Sequence, residues 1–329
     1  MKRTLGVLLA AMVVALTAWW TAALLYAAPG PAWVRAGLAA VYALSTLAAL
    51  LWVRPFWRAL ALWGAVLAAL LIWWSTLQPT NDRDWQPEVA RLPWVEVHGE
   101  LLTFHNIRNF DYRSESDFTP HYEERTYDLA KLRGLDFLMS YWGSPAIAHT
   151  ILSWQFEGSP PLAISIETRK TRQQEYSAIA GFFKQYELIY VVSDERDVVR
   201  LRTNYRGEHV YLYRLNVPLP QARGLLMDYV ASINRLVEHP QFYNALTDNC
   251  TTSIRRHVMQ IVPDAPPFDW RVLANGYGDR LLYERGNIDT RLPFEALRAR
   301  SLIDAKAQAA EDDPAFSHKI REGLPDPRG

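Results

Sequence analysis

Three apolar runs, at residues 5–27, 32–53 and 56–77, fill the first quarter of the chain and constrain its fold more than any other feature. Each reaches or approaches the roughly 20 residues an α-helix needs to cross a bilayer core. Lys2 and Arg3 before the first run imitate a signal peptide, but the run is too long for a cleaved h-region and two further spans follow, so it is expected to be retained. Pro29, Pro31 and Pro55 mark the connections, because proline lacks a donor and clashes with the preceding turn. The only charges before Gln78 are Lys2, Arg3, Arg35, Arg54 and Arg58. Positive charge favours the cytoplasmic side, so the N-terminus and the second connection are expected there. Three crossings then put everything after Thr80 outside the cytoplasm, as in a multi-pass protein of the bacterial inner membrane. Trp19, Trp20, Trp52, Trp57, Trp73 and Trp74 lie near run ends, where indole rings favour the interface. Arg35, near a helix start, is placed to snorkel. The runs contain no Asp, Glu or His, so they read as an anchor that also holds a lipid substrate near the domain rather than as an ion path.

After residue 78 the composition becomes that of a globular domain of mixed charge, long enough at roughly 250 residues to bury a core. The formal net charge is zero and no basic tract occurs, so nucleic acid is not an expected partner. Four segments are expected: an anchor at 1–78, a polar linker at 79–93, a periplasmic domain at 94–304 and a charged, loose tail at 305–329. Strands are expected at 95–97, 100–106, 122–128, 137–141, 146–156, 162–168, 188–193 and 211–217. The clearest pair is 146–156 with 162–168, separated by Glu-Gly-Ser-Pro-Pro. Helices are expected at 179–186, 220–238 and from Asn249 onward, the second on the 3.6-residue spacing of Leu225, Leu226, Tyr229, Val230, Ile233 and Leu236. The class is α+β, with a mostly antiparallel sheet and helices packed on it.

Cys250 is the only cysteine. It therefore forms no intramolecular disulfide, and three readings stand: an apolar filler, an intermolecular disulfide, or a reactive thiol. Asp248, Asn249 and Thr251 around it are all helix N-cap types. A thiol at a helix start faces the positive end of the dipole and unpaired N–H groups, which favour thiolate and suit an oxyanion. A thiol nucleophile also needs an imidazole, and a group to orient it. Of eight histidines, His149 stands in apolar strand surroundings, and hairpin pairing closing at Gly158 puts Glu167 across from it. A one-residue slip would instead turn Glu167 to the other face, beside Arg169. His98, His105 and His121 match no metal spacing, and His257 is expected to point away from the thiol. No HExxH, CxxC, GxSxG or P-loop pattern occurs, so neither a metal nor a cofactor is expected. Arginines 108, 125, 169, 196, 200 and 202 read ordinarily as partners of nearby carboxylates. Arg108 and Arg169, with Asn249 and Thr251, are the candidate groups for holding a substrate phosphate or carboxylate.

Several segments together resemble the periplasmic domain named for the lipoprotein N-acylation protein Lnb (DUF4105). They are Trp-Gly-Ser-Pro-Ala-Ile-Ala-His-Thr at 142–150, Ala-Ile-Ser-Ile-Glu-Thr-Arg-Lys at 163–170, Gly-Phe-Phe-Lys-Gln-Tyr-Glu-Leu at 181–188, Asp-Glu-Arg-Asp at 194–197 and Asn-Cys-Thr-Thr at 249–252. The order His then Cys also resembles circularly permuted NlpC/P60 papain-like enzymes. The resemblance implies a papain-like domain with His149 and Cys250 as a dyad. It implies a thiol acyltransferase working on lipid or lipoprotein acyl chains through a thioester. Two other readings stand beside it: a cysteine peptidase or amidase on cell-wall peptide, and a non-enzymatic envelope module.

Overall fold

A computed structural model describes residues 2–262 and 264–327. The chain divides into two compact units: residues 1–80 with 176–187, and residues 81–175 with 188–329.

The first unit contains α1 (Lys2–Ala27), α2 (Ala32–Trp52) and α3 (Phe56–Thr76), three helices long and apolar enough to cross a bilayer. The Arg35 guanidinium donates to the carbonyl of Tyr26 at the end of α1. Trp20 meets Trp74 edge to face with centroids 5.7 Å apart. Residues 176–187 complete this unit. A helix is expected over 179–186, but only a 3-10 turn forms, at Ala180–Phe182. Its aromatic residues are taken up by the bundle instead: Phe183 stacks on Tyr26, and the Lys184 ammonium donates to the Trp74 carbonyl at 2.9 Å in the last turn of α3.

The second unit is built on one sheet. Its strands are β1 (Trp94–His98), β2 (Leu101–Arg108), β5 (Tyr122–Asp128), β6 (Leu132–Tyr141), β7 (His149–Phe156), β8 (Leu162–Arg169), β9 (Glu187–Ser193) and β10 (His209–Arg214). A separate two-stranded piece pairs β3 (Asp111–Tyr112) with β4 (Phe118–Thr119). The order in the main sheet is β1-β2-β9-β8-β7-β6-β10, with β5 also on β2. The pairs β1–β2, β2–β5, β6–β7, β7–β8 and β6–β10 are antiparallel, whereas β2 and β9 meet in parallel at Arg108 and Ser193. The fold is therefore α+β, with a mixed sheet.

Helices α4 (Glu195–Arg200), α5 (Leu219–Glu238), α6 (Cys250–Ile261), α7 (Gly278–Glu284), α8 (Phe294–Ser301), α9 (Asp304–Ala309) and α10 (Phe316–Lys319) complete the unit. On one side of the sheet, Leu225, Leu226, Tyr229 and Ile233 of α5 bury themselves with Leu152, Trp154, Ile164 and Tyr190. Alternation along β7 sends Ile151 into the second core, with Val198, Val210, Leu212, Ile303, Ala307, Phe316 and Ile320. Residues 305–327 of the tail, expected to be loose, are thus a layer of the fold. Phe316 and Ile320 are fully buried, and Arg321 pairs with Asp136 and Glu195, themselves wholly buried. The segment at 79–93 likewise is not a free linker from Asn81 onward. Trp85 and Val89 are buried, and the Arg169 guanidinium donates to the carbonyls of Val89 and Ala90 and to Oδ1 of Asn81 while lying 4.2 Å over the Trp85 ring. An arginine can bind such a segment so firmly because its planar fork serves several carbonyls at once.

Candidate functional site

Cys250 is the first residue of α6, and the sequence immediately around it fixes that helix start. The Asn249 side chain accepts from Thr252 N–H at 2.9 Å, and Thr252 Oγ1 accepts from Asn249 N–H at 3.0 Å, a reciprocal capping box. Asn249 Nδ2 also donates to the Ala245 carbonyl, tying the cap to the preceding turn. The thiol is buried at 8% exposure.

His149 opens β7, and its carboxylate partner comes from the neighbouring strand. The register Ile151↔Ser165, carried two residues further, places Glu167 across from His149. The ring does not meet the carboxylate first. His149 Nε2 lies 2.6 Å from Ser165 Oγ, Ser165 Oγ donates to Glu167 Oε1 at 2.7 Å, and Nε2 and Oε1 stand 3.7 Å apart. Ser165 and Glu167 share a strand face because side chains alternate with period two. Arg202 donates to the same carboxylate oxygen at 3.0 Å from a π-helical turn at Leu201–Tyr205, a distortion frequent at functional sites. Burial opposes ionisation of Glu167, but the charges of Arg202, His149 and Arg108 and the bond from Ser165 outweigh it, so the carboxyl is held far below its usual range. Burial would push the Cys250 thiol up. The neighbouring His149 ring, helped by Thr150, brings it down to about 6 instead.

Asn275 stands between these two halves. Its Oδ1 accepts from Ala148 N–H at 2.9 Å, and its Nδ2 donates to the Ala148 carbonyl at 2.6 Å and to Thr251 Oγ1 at 2.7 Å. The same Nδ2 is 3.7 Å from Cys250 Sγ. Gly276 follows with no room for a side chain: a Cβ there would lie 2.2 Å from the carbonyl oxygen of Pro145 and 2.7 Å from Ile147 N.

The structure therefore brings Cys250, His149 and Glu167 into one cluster and leaves Arg108 and Arg169 as scaffolding. Arg108 is spent on the buried Asp197 and the Glu88 carbonyl, and Arg169 on the segment that begins at Asn81. Neither guanidinium is arranged to hold a substrate. Asn249 and Thr251 serve the helix cap and the Asn275 bridge. His257 turns away from the thiol to Asp228 and Tyr190, at 2.6 Å from each. Among the described residues no cluster of His, Cys, Asp and Glu has the arrangement of a metal site. Sequence reading missed Ser165 and Asn275. Ser165 had a signal, since it lies two residues before Glu167 on the same face. Asn275 had none, because the chain returns to the site through irregular structure after α6.

The clustered residues fall in one segment. Residues 118–276 match the family model of the Lnb N-terminal periplasmic domain. Neither the curated proteins nor the solved structures give a match to the chain. The Lnb-like segment starts at β4 and ends on Gly276, so it includes His149, Ser165, Glu167, Arg202, Cys250 and Asn275. Outside it lie the three apolar helices, β1, β2 and the C-terminal helices that close the second core.

Proposed function

We propose that this Lnb-like protein is a membrane-anchored thiol acyltransferase acting on lipid or lipoprotein acyl chains at the periplasmic face of the inner membrane. One observation carries the reading: a buried thiol at a capped helix N-terminus, tied through Asn275 to the strand end that bears a histidine itself oriented through Ser165, Glu167 and Arg202. With Nε2 donating to Ser165, Nδ1 is left to take the thiol proton. The thiolate then attacks an ester carbonyl, forming a C–S bond, and the electron pair moves to the carbonyl oxygen. Thr252 and Ser253 N–H groups are occupied by Asn249, so the amides of Cys250 and Thr251 are the helix-start donors for that oxyanion. Collapse expels the alcohol, which receives the proton from His149, and leaves a thioester on Cys250. An amine acceptor attacks the thioester and releases the thiol, so the acyl group has moved from oxygen to nitrogen. Ionised Glu167 stabilises the imidazolium in both steps.

An acyl substrate rather than a cell-wall peptide is favoured by the exposed apolar residues flanking the site along the chain. Ile147 precedes His149, Leu246 precedes Cys250, and Leu273 and Tyr277 bracket Asn275. The anchor keeps the domain beside its lipid substrate, so high local concentration replaces tight binding. The positive charges Lys2, Arg3, Arg54 and Arg58 support a cytoplasmic N-terminus and a periplasmic domain. The test is mass spectrometry of lipoprotein N-termini in the native host with Cys250→Ala, together with a search for an acyl adduct on Cys250 in the purified wild type. Loss of N-acylation and a hydroxylamine-labile adduct are expected. Unchanged N-termini and an unmodified thiol in lipid-loaded micelles would refute the proposal.

A further inference from the structure

The geometry points to Asn275 as the positioning residue that ties the strand end bearing His149 to the helix start bearing Cys250, an inference that rests on the dyad reading above. The two reacting groups come from elements with no covalent reason to meet. His149 is the first residue of β7, and residues 142–148 before it form no regular structure. Cys250 is the first residue of α6, whose cap is made with its own preceding turn. Each group thus sits at an element end, where the backbone is least restrained by ladder or helix bonds.

The Asn275 amide links these two ends. It meets the peptide of Ala148, next to His149, at two points, as a neighbouring strand would. Its remaining donor goes to the hydroxyl of Thr251, next to Cys250. The turn carrying Asn275 is fixed in turn by Gly276 N–H donating to the Ala146 carbonyl and by Tyr141 Oη donating to the Gly276 carbonyl at 2.7 Å. A primary amide has two protons, and the two short bonds from Nδ2 use both. The 3.7 Å approach to the sulfur is therefore packing, and Asn275 is not a donor to a reaction intermediate. Asn275 is also buried, so loss of its amide leaves the Ala148 peptide without partners in a dry site, and the start of β7 must move to find others.

Because the chain has one cysteine, alkylation followed against pH reports the Cys250 thiol alone. The experiment follows iodoacetamide modification of the full chain in detergent micelles against pH, by intact mass. Wild type should titrate near pH 6. Asn275→Ala, and separately Thr251→Val, should raise the midpoint by a unit or more. A rise to about 8 lowers the rate at pH 7 about tenfold, since only thiolate reacts. Thr251→Ser, which keeps the acceptor, should behave as wild type. In a His149→Ala background, Asn275→Ala should add nothing further. Thr251→Val carries the test if Asn275→Ala does not fold. A folded Asn275→Ala with the wild-type midpoint overturns the inference alone. An equal shift in the presence and absence of His149 also overturns it, since that is general loosening. A wild-type midpoint at the ordinary value near 8.5 that ignores His149→Ala overturns the dyad reading itself.

Discussion

Arg321 offers the sharpest test of whether the C-terminal segment is structural. It reaches Asp136 through Nε at 2.9 Å and Glu195 through both terminal nitrogens at 2.7 and 2.6 Å. Both carboxylates are wholly buried. Arg321→Met keeps much of the aliphatic stem but leaves Glu195 with only uncharged partners, including Ser153, while Asp136 retains Arg214. Breaking a buried pair in this way costs about 3–5 kcal/mol. For a unit of this size that corresponds to a melting temperature lower by roughly 6–20 °C. The pH dependence is distinctive. In wild type, burial of Glu195 is outweighed by the charge and hydrogen bonds of Arg321 and by its serine partners, so its pKa lies below the ordinary value. That contribution is present above the unfolded pKa and disappears as pH falls through the folded one. Without Arg321, burial dominates and the Glu195 pKa rises above its unfolded value. The protonated form is then tolerated at low pH, and stability is lost as pH rises. The melting gap between the proteins should therefore be wide at pH 7 and narrow toward pH 4. Thermal unfolding of the full chain in detergent, followed by near-UV circular dichroism across that range, measures it. Equal melting at pH 7, or a gap that does not change with pH, would refute the reasoning.

Two further outcomes probe the site's frame. Gly276→Ala should cost activity as well as stability, because its Cβ meets backbone at Pro145, Ala146 and Ile147 rather than a flexible side chain; Tm and acyl-transfer rate check it together. Asn249→Ala should destabilise by about 0.5–2 kcal/mol through loss of the cap, whereas Asn249→Ser should be nearly neutral, as denaturant titration would show.

The local features of this protein were legible in its sequence. Three apolar runs, bounded by prolines and free of acidic groups, specify three long helices, because length and hydropathy act residue by residue. The Asn-Cys-Thr-Thr run at 249–252 specifies a helix start with the thiol at its first turn, since a capping box closes within four residues. The turn at Gly158 specifies a register that sets Glu167 across from His149.

Contacts between distant segments were decided only by the tertiary structure. Arg108 and Arg169 carry the same charge as any binding arginine, and only their burial against Asp197 and Trp85 makes them scaffold. Residues 305–327 look loose because their charges are conspicuous and their apolar positions sparse. They fold because the second sheet face needs Ala307, Phe316 and Ile320 to cover it. Cys250 began as a thiol with three readings. Its sequence set the helix start, and the tertiary fold then supplied the histidine, the serine–glutamate relay and the Asn275 bridge. Local bonds are encoded by neighbours along the chain, whereas a site assembled from β7, β8 and α6 exists only after hydrophobic burial has brought those elements together.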